Sequence, residues 1–397
     1  MNIAIFSDTF FPQINGVCFS IKNLSTELMK HGHKVMVFAP SPDGKESRQT
    51  VEGIETIYFS SFSLPSYKEY RIVLFAFNKA MKAAGEFKPD IVYCETPFTM
   101  GRLGWRISKE LRIPCVGTYH TLIPDFLMYL PLPIIKNLSI TKKLAWAVTN
   151  NFYEKCAIVT TPSCAMKSEL LKNGLHADLR AVSNGIDLSL FSQTCEGVLE
   201  FLEKNSIPEG AVKMIFFGRI SFEKNIGVLI RALKIANESG KKKFALLLVG
   251  NGPAVESLKK LSESLWQQQN VFFTGALRGK ELVAAVNAAD FSVTASTIET
   301  QGLSILEAMA CGKPSVAADY LAIPEAVKDG YNGFLFRAPD EKGCAERMLR
   351  MAESEKKEIK RLGENAKKTA AQHSMQSIAE QWERIFAEAK EKTKEKN

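Results

Sequence analysis

The hydrophobic residues of the chain occur in short runs separated by longer amphipathic stretches. The first run covers residues 2–7 (NIAIFS), and a loop containing Gly16 leads from it into a helical pattern and a second run, KVMVFAP. Strand, glycine-containing loop, helix and strand form one βαβ unit. Further runs at 91–94, 115–120 and 158–163, with helical patterns between them, predict a doubly wound parallel sheet.

The same alternation starts again in the second half of the chain. Residues 183–197 (SNGIDLSLFSQTCEG) interrupt it, and KMIFFG at 213–218 is then typical of a new first strand. A length of 397 residues agrees with two to three domains of about 150 residues each. We therefore predict two facing Rossmann-like α/β domains, 1–187 and 200–375. Their strand ends would meet at one cleft, as in an enzyme with two substrates.

The composition is typical of a soluble globular protein, with 46% hydrophobic and 24% charged residues. It excludes a disordered chain, a collagen and a disulfide-stapled secreted domain. The net charge of +8 is concentrated in residues 1–185, which carry 21 basic and 15 acidic side chains. A basic half suits a surface that faces phosphates or an anionic membrane, although solubility alone is an equal explanation.

The cysteines and the N-terminus predict a cytoplasmic protein. None of the eight cysteines has CxxC spacing, so they are expected to be free thiols. The N-terminus lacks the basic region of a signal peptide. The longest apolar run, 126–135, contains two prolines and is too short to span a bilayer.

Two cations follow the first strand of the predicted second domain. Gly218 and Arg219 end the run KMIFFG, and Lys224 comes five residues after Arg219. This is the carboxyl end of a strand, where ligands bind in α/β domains. Arg and Lys there suit a diphosphate, because they neutralise its charge and donate hydrogen bonds to its oxygens. Taken alone, two surface cations explain the pattern equally well.

A glycine turn follows the next strand, ALLLV. Gly250, Asn251 and Gly252 precede a proline there. Glycine after a buried strand allows the backbone to approach a ligand closely. The third glycine of a dinucleotide-binding fingerprint is missing, so an ordinary structural turn is an equal interpretation.

The strongest signal is a pair of glutamates separated by seven residues, Glu299 and Glu307. Glu299 follows the strand FSVTAS, and Glu307 lies within the helix predicted for SILEAMACG. Free amide groups and the helix dipole attract phosphate at such a helix start. Glu307 is placed to bond a ribose diol and Glu299 to bond sugar hydroxyls. The residues at the helix start are Thr300, Gln301, Gly302 and Leu303.

Together these motifs resemble glycosyltransferase family 4, whose members have the GT-B fold. The resemblance covers nearly the whole chain, and the motifs occur in the family's order. It implies that a final helix, about 376–392, returns to the first domain. The residues that carry the resemblance are Asn15, Gly16 and Val17, then Thr118, Tyr119 and His120, then residues 183–187 (SNGID), Arg219, Lys224, the GNGP turn, and Glu299 with Glu307 in a stretch ending EAMACGKP.

The resemblance implies a retaining transfer of a sugar from a nucleotide-sugar donor. Arg219 and Lys224 would hold the diphosphate, Glu307 the ribose and Glu299 the donor sugar. The acceptor hydroxyl would lose its proton to the leaving phosphate. No metal and no cofactor are implied, and the chain contains no Asp-x-Asp pair. Two fixed cations can replace the metal that stabilises a leaving diphosphate elsewhere.

Two further residues of the first domain gain roles through the resemblance. Gly16 would approach the diphosphate through its backbone. His120 would bond the donor sugar, although a core histidine bonded to backbone is the simpler interpretation of His120 by itself.

The acceptor site is expected in the first domain. Residues 121–133 are unusually apolar for a loop, and a helix follows them. Lys136 and Lys143 lie opposite its apolar face, with Lys142 at the flank and Trp146 near the boundary. Such a helix suits a membrane interface, or packs its apolar face into the domain.

Three parts of the chain are similar to the glycolipid-forming branch of the family. They are the apolar segment 121–133, residues 64–72 (LPSYKEYRI), and Thr300-Gln301 in the ETQG motif. That branch resembles diacylglycerol glucosyltransferases. It implies a nucleotide sugar and a lipid acceptor as partners, at the anionic inner face of the cell membrane. UDP-glucose is the first expectation for the donor, with UDP-galactose and GDP-mannose open.

Other functions fit parts of the same pattern. A family member that acts on a soluble sugar, a polysaccharide or a polyprenyl-linked glycan would keep the donor site and lack membrane affinity. A nucleotide-sugar epimerase also has two such domains, but its motifs differ from the set found here. A non-catalytic sensor is disfavoured because all donor motifs are intact. No nucleic-acid recognition motif is present, and no protein partner is implied.

Overall fold

The computed structural model describes residues 1–13, 15–64, 67–120, 139–192 and 196–396; of residues 64, 67–70, 139–142 and 396 it describes the backbone alone. The chain forms two compact units. The first is Met1–Gly185 with Met375–Asn397, and the second is Ile186–Ser374. The second unit includes the residues from Ile186 onward that were predicted to lie between the domains, because Ile186 and Phe191 are buried in its core.

The first unit contains ten strands and six helices among the residues that the structure describes. Its strands are β1 (Asn2–Phe6), β2 (Lys34–Pro40), β3 (Ser47–Val51), β4 (Ile54–Phe59), β5 (Ser61–Leu64), β6 (Tyr67–Val73), β7 (Ile91–Cys94), β8 (Cys115–Thr118), β9 (Ile158–Thr161) and β10 (Leu179–Ala181). Its helices are α1 (Gly16–Lys30), α2 (Phe77–Phe87), α3 (Thr99–Leu111), α4 (Ser139–Tyr153), α5 (Cys164–Lys172) and the C-terminal helix, Met375–Lys396.

Eight of these strands form one sheet in the order β10-β9-β8-β7-β1-β2-β4-β3, and β5 and β6 form a separate hairpin. All neighbours in the large sheet are parallel except β3 and β4. The predicted parallel sheet therefore carries one antiparallel strand at this edge. Glu52 and Gly53, both with positive φ, join Val51 to Ile54. A connection of two residues can join only antiparallel strands.

The C-terminal helix covers the core of the first unit. The ring of Tyr93, fully buried in β7, lies 4.7 Å from Trp382 and 5.8 Å from Phe386, measured between centroids. Glu383 on the same helix accepts a 2.7 Å hydrogen bond from His33, the residue before β2. Aromatic packing and this polar contact hold the last helix onto residues from the beginning of the chain.

Asp8 joins the carboxyl end of β1 to the start of α3. Its buried carboxylate accepts hydrogen bonds from the hydroxyls of Thr96 and Thr99, both 2.6 Å, and from the Met100 amide at 2.9 Å. The residue before α3, Phe98, provides no side-chain cap. Asp8 therefore caps α3 from a neighbouring strand and fixes the loop that follows β7. Burial raises the pKa of Asp8 despite these hydrogen bonds.

The second unit repeats the architecture with a six-stranded parallel sheet, in the order β13-β12-β11-β14-β15-β16. Its strands are β11 (Val212–Phe217), β12 (Phe244–Val249), β13 (Val271–Gly275), β14 (Phe291–Thr294), β15 (Ser315–Ala318) and β16 (Gly333–Phe336). Its helices are α6 (Leu188–Phe191), α7 (Val198–Lys204), α8 (Ile226–Glu238), α9 (Val255–Ser264), α10 (Gly279–Ala288), α11 (Leu303–Ala310), α12 (Ile323–Ala326), α13 (Glu341–Glu353) and α14 (Lys356–Ala371). All six residues of β12 are buried, as expected for a strand covered on both faces.

Each sheet has one point where the strand order reverses. In the first sheet the chain proceeds outward from β1 through β2, then returns to place β7 on the other side of β1. In the second sheet β11 lies between β12 and β14 in the same way. Ligands bind beyond the carboxyl ends of the strands at such points. The candidate site residues are therefore expected after β1, β7, β11 and β14.

The cysteines agree with a fold that needs no disulfide bonds. The seven cysteines in the described ranges are free. Three of them cluster in the first unit, with Sγ–Sγ distances of 3.6 Å for Cys94–Cys115 and 3.9 Å for Cys115–Cys156. Within the part of the chain that the structure describes, no helix has the length and apolar character required to cross a membrane.

Candidate functional site

The reversal point of the second sheet brings a lysine and a glutamate together. Lys224 follows β11 and Glu299 follows β14, and Lys224 Nζ lies 2.7 Å from Glu299 Oε1. Both side chains remain partly exposed, at 20% and 16%. Asn225 ties the two loops by donating to Thr297 Oγ1 at 3.1 Å. Sequence reasoning gave the two charged residues separate ligands and missed their mutual contact. Arg219, half-buried, lies on the same loop as Lys224.

The start of α11 lies on the chain just after Glu299. Gly302, with φ of +83°, precedes this helix and contributes no side-chain cap. The first amide groups of an α-helix generally have no partner within the helix, and a helix start of this kind can bind an anion. Gln301 is buried, whereas Thr300 and Leu303 are half-buried. This helix start and the Lys224 loop provide two kinds of anion contact in one unit.

Glu307 lies in the second turn of α11 and is half-buried. Burial raises the pKa of its carboxyl group to about 7. Burial is the sole cause of this raised pKa, and no hydrogen bond from the described residues lowers it. A carboxylate in such surroundings gains from any ligand hydroxyl that donates to it. The position fits the sequence-based role of Glu307 as a ribose contact.

The glycine turn after β12 packs against backbone of the same unit. A Cβ at Gly250 would lie 1.9 Å from the Gly218 carbonyl oxygen, and one at Gly252 would lie 2.2 Å from the Ile220 carbonyl oxygen. The Ile220 amide also donates to the Asn251 carbonyl at 2.9 Å. These contacts favour the structural interpretation of the turn. Gly218 differs, since it is exposed and its missing Cβ would meet nothing within 4 Å.

The first sheet holds a histidine–glutamate pair at and beside its reversal point. His120, two residues after β8, places Nε2 against the carboxylate of Glu95, the residue after β7. Both side chains are almost wholly buried. Sequence reasoning missed Glu95, although an acid directly after the buried run IVYC was a visible signal. The histidine is therefore bonded to a carboxylate, rather than to backbone as the simpler interpretation of His120 assumed.

Gly16 is the first residue of α1 and is exposed. Asn15 caps this helix by accepting a 3.0 Å hydrogen bond from the Cys18 amide. A Cβ at Gly16 would meet nothing within 4 Å. The absence of a side chain here is not required by packing, which is compatible with close approach of a ligand to the backbone.

The predicted membrane helix is partly described, as α4. Lys143 and the neighbouring Leu144 are exposed, and Val148 is 50% exposed. Val148 and Phe152 belong to the apolar positions predicted for one face of this helix; the first is exposed and the second is buried. Trp146 stacks on Tyr119 at 6.1 Å between centroids, so one face of its ring packs against the domain. Lys136, residues 121–133 and the side chain of Lys142 lie outside the described residues.

Comparison with known proteins identifies the family. Residues 14–190 match the family described as Glycosyltransferase Family 4, and residues 199–369 match Glycosyl transferases group 1. An alpha-monoglucosyldiacylglycerol synthase of Streptococcus pneumoniae is 34% identical over 340 residues, which are 85% of this chain and 75% of that protein. The chain belongs to glycosyltransferase family 4. A synthase of the same name from Acholeplasma laidlawii is 30% identical over 86% of each chain.

Solved structures place this glycosyltransferase in the GT-B class, which has two Rossmann-like domains. A structure of Anabaena HepE in complex with UDP has a TM-score of 0.78 and 21% identity, and the match covers 98% of this chain and 100% of that one. At that identity the likeness shows the fold alone. Among the described residues of this family member, no cluster of three His, Cys, Asp or Glu side chains is arranged to hold a metal ion.

The raised pKa of Glu307 predicts a pH-dependent difference between the wild type and Glu307→Gln. The unfolded chain loses this proton near its ordinary pKa of 4.5, whereas the folded protein keeps it to about 7. Stability from this group is therefore lost as pH rises between those values. We expect Glu307→Gln to gain stability relative to the wild type from about pH 5 to about pH 8, on the order of 5 °C in Tm.

Thermal denaturation of both proteins across this range measures the effect. Glu281→Gln, which changes an exposed glutamate on α10, is the matched control, and its difference from the wild type should stay constant with pH. A constant difference for Glu307→Gln as well would contradict the assignment.

Proposed function

We propose that this protein transfers a glucosyl group from UDP-glucose to diacylglycerol, forming an α-glycolipid with retention of configuration and without a metal. The acceptor rests on the two alpha-monoglucosyldiacylglycerol synthases at 34% and 30% identity. The donor is also suggested by the Anabaena HepE complex with UDP-glucose, at 22% identity. The transfer of a sugar follows from the family, whereas the identity of donor and acceptor is the proposal.

The observation that carries the donor assignment is the contact of Lys224 with Glu299 beside the start of α11. In a nucleotide sugar the anomeric carbon is bonded directly to the diphosphate. A residue that binds the diphosphate and one that binds the sugar hydroxyls must therefore lie close together. The 2.7 Å contact between Lys224 and Glu299 satisfies this requirement. Glu307, in the helix that follows Glu299, would accept hydrogen bonds from the ribose hydroxyls.

The positive charge at this site explains how the reaction can proceed without a metal. The bond from the anomeric carbon to the diphosphate oxygen breaks, and its electron pair leaves with the diphosphate. Arg219 and Lys224 stabilise that charge as it develops. The acceptor oxygen bonds to the anomeric carbon on the same face, and its proton passes to the leaving phosphate oxygen. Configuration is retained because entry and departure share one face.

The exposed surface of α4 supports a lipid acceptor. Leu144 is 62% exposed and Val148 is 50% exposed, with the exposed Lys143 beside them. Exposed apolar side chains next to a cation suit the interface of an anionic bilayer. The excess of basic residues in 1–185 would also attract an anionic membrane surface. We therefore place the protein at the cytoplasmic face of the membrane, where diacylglycerol is available.

A donor and acceptor panel tests the proposed reaction. The full chain is incubated with radiolabelled UDP-glucose, UDP-galactose or GDP-mannose, together with anionic vesicles containing diacylglycerol or with soluble sugars. We expect label from UDP-glucose in the organic extract, unchanged by EDTA. GDP-mannose is included because a GDP-mannose-dependent alpha-mannosyltransferase of Corynebacterium glutamicum is 27% identical. Label confined to water-soluble products would overturn the lipid acceptor, and loss of activity in EDTA would overturn metal independence.

Lys224→Ala should lower turnover more than donor affinity. Loss of one preorganised cation at a developing charge costs about 3 kcal/mol, or on the order of 100-fold in kcat. Lys234→Ala is the matched control, because Lys234 also pairs with a glutamate, Glu238 at 3.6 Å, on the surface of α8. Steady-state kinetics with varied donor separates kcat from KM. Equal losses for both variants would refute the special role of Lys224.

A double substitution on α4 tests membrane binding. Lys143→Glu with Leu144→Gln reverses one charge and removes one exposed apolar side chain. At about 1 kcal/mol per charge near an anionic surface, binding should weaken by about 30-fold. The control variant, Leu171→Gln with Lys172→Glu, makes the same two changes at exposed positions in the last turn of α5. Vesicle sedimentation should separate the two variants, and identical binding by both excludes α4 as the contact surface.

A further inference from the structure

Glu95 and His120 form a buried pair whose geometry is fixed from both sides. The side chain of Glu95 is fully buried and that of His120 is 5% exposed. The Glu95 amide donates to the Phe6 carbonyl at 3.0 Å, and the Tyr119 amide donates to the Thr160 carbonyl at 2.8 Å. Backbone hydrogen bonds to the neighbouring strands therefore hold each partner just beyond the end of its own strand.

The carboxylate of Glu95 decides which ring nitrogen of His120 carries the proton. An ionised carboxylate only accepts hydrogen bonds, so Nε2 of the imidazole must be the donor in their contact. In the neutral ring the other nitrogen, Nδ1, is then an acceptor. With glutamine at position 95, the side chain could both donate and accept, and this preference would be lost.

The pair is unfavourable for stability alone. The second oxygen of Glu95, Oε1, is buried and has no hydrogen-bond partner among the residues that the structure describes. A buried charge with an unpaired oxygen costs free energy that a neutral side chain of the same shape avoids. Residues that lower stability in this way are concentrated where they serve function. Glu95 follows β7, at the reversal point of the first sheet, which is such a place.

We propose that Glu95 is a positioning residue for the transfer reaction. It holds the His120 ring with Nε2–H toward the protein, so that Nδ1 accepts a hydrogen bond from a hydroxyl group of the donor sugar. The part that concerns the sugar rests on the proposed function. The proton arrangement of the ring does not, because it follows from the contact with Glu95.

Proton–nitrogen correlation NMR of the isotope-labelled full chain tests the proton arrangement. The His120 signals are assigned by their loss in His120→Gln, since the chain has five histidines. We expect wild-type His120 to carry its proton on Nε2, and Glu95→Gln to shift the ring toward a mixture of both forms. A wild-type ring protonated on Nδ1, or a variant with an unchanged ring, overturns the inference. This measurement needs no substrate.

Kinetics and denaturation then test the role in transfer. Glu95→Gln should lower kcat by about 100-fold through misplacement of one ring, with donor KM changed less than about threefold. Its Tm should equal or exceed that of the wild type, because a buried charge is removed. Glu110→Gln, an exposed glutamate on α3, is the control and should change neither value.

The outcomes separate the two proposals. Full activity in Glu95→Gln, or a loss of activity that follows a lower Tm, overturns the positioning role. Failure of the wild type to transfer glucose to diacylglycerol overturns the proposed function instead. In that case the NMR result still decides the proton arrangement of His120.

Discussion

Parallel strands must be covered on both faces, and this constraint determines where the protein can carry polar chemistry. The side chains of β1, β12 and β14 are almost all buried, so a ligand cannot reach the faces of these central strands. Only the ends of the strands remain accessible. The two reversal points, between β1 and β7 and between β11 and β14, are therefore where charged residues gather.

Both reversal points hold a cation or imidazole opposite a carboxylate, but the two pairs differ in exposure. Lys224 and Glu299 keep about a fifth of their side-chain surface exposed. Glu95 and His120 are enclosed, so their contact is part of the folded state. The first arrangement suits groups that bind and release a charged ligand, and the second suits a group whose orientation must not change.

The sequence predicted the fold because parallel strands produce continuous apolar runs. The runs at 91–94 and 213–218, for example, coincide with β7 and β11. Strand β3 was not predicted, because its residues are polar and exposed at the sheet edge. Its pairing depends on the turn at Glu52 and Gly53 rather than on hydrophobicity. The assignment of residues 186–199 to the second unit depends on the burial of Ile186 and Phe191 by distant residues, which a local pattern does not show.

For the candidate site, the motifs predicted which residues matter better than what each one contacts. Lys224 and Glu299 are 75 residues apart in sequence, and their contact arises only from the strand order. Glu95 belongs to no motif considered in the sequence, so its contact with His120 required the structure. For Gly250 and Gly252, close packing against backbone accounts for the presence of glycine, so ligand binding is not needed to explain these two positions.

The position of the C-terminal helix has a consequence for synthesis of the chain. Tyr93 in the first unit is covered by Trp382 and Phe386, which follow the whole of the second unit in the chain. The first unit therefore keeps an open apolar surface while all of the second unit is being translated. Synthesis of the helix that begins at Met375, rather than completion of its own strands, sets the time at which the N-terminal unit closes its core.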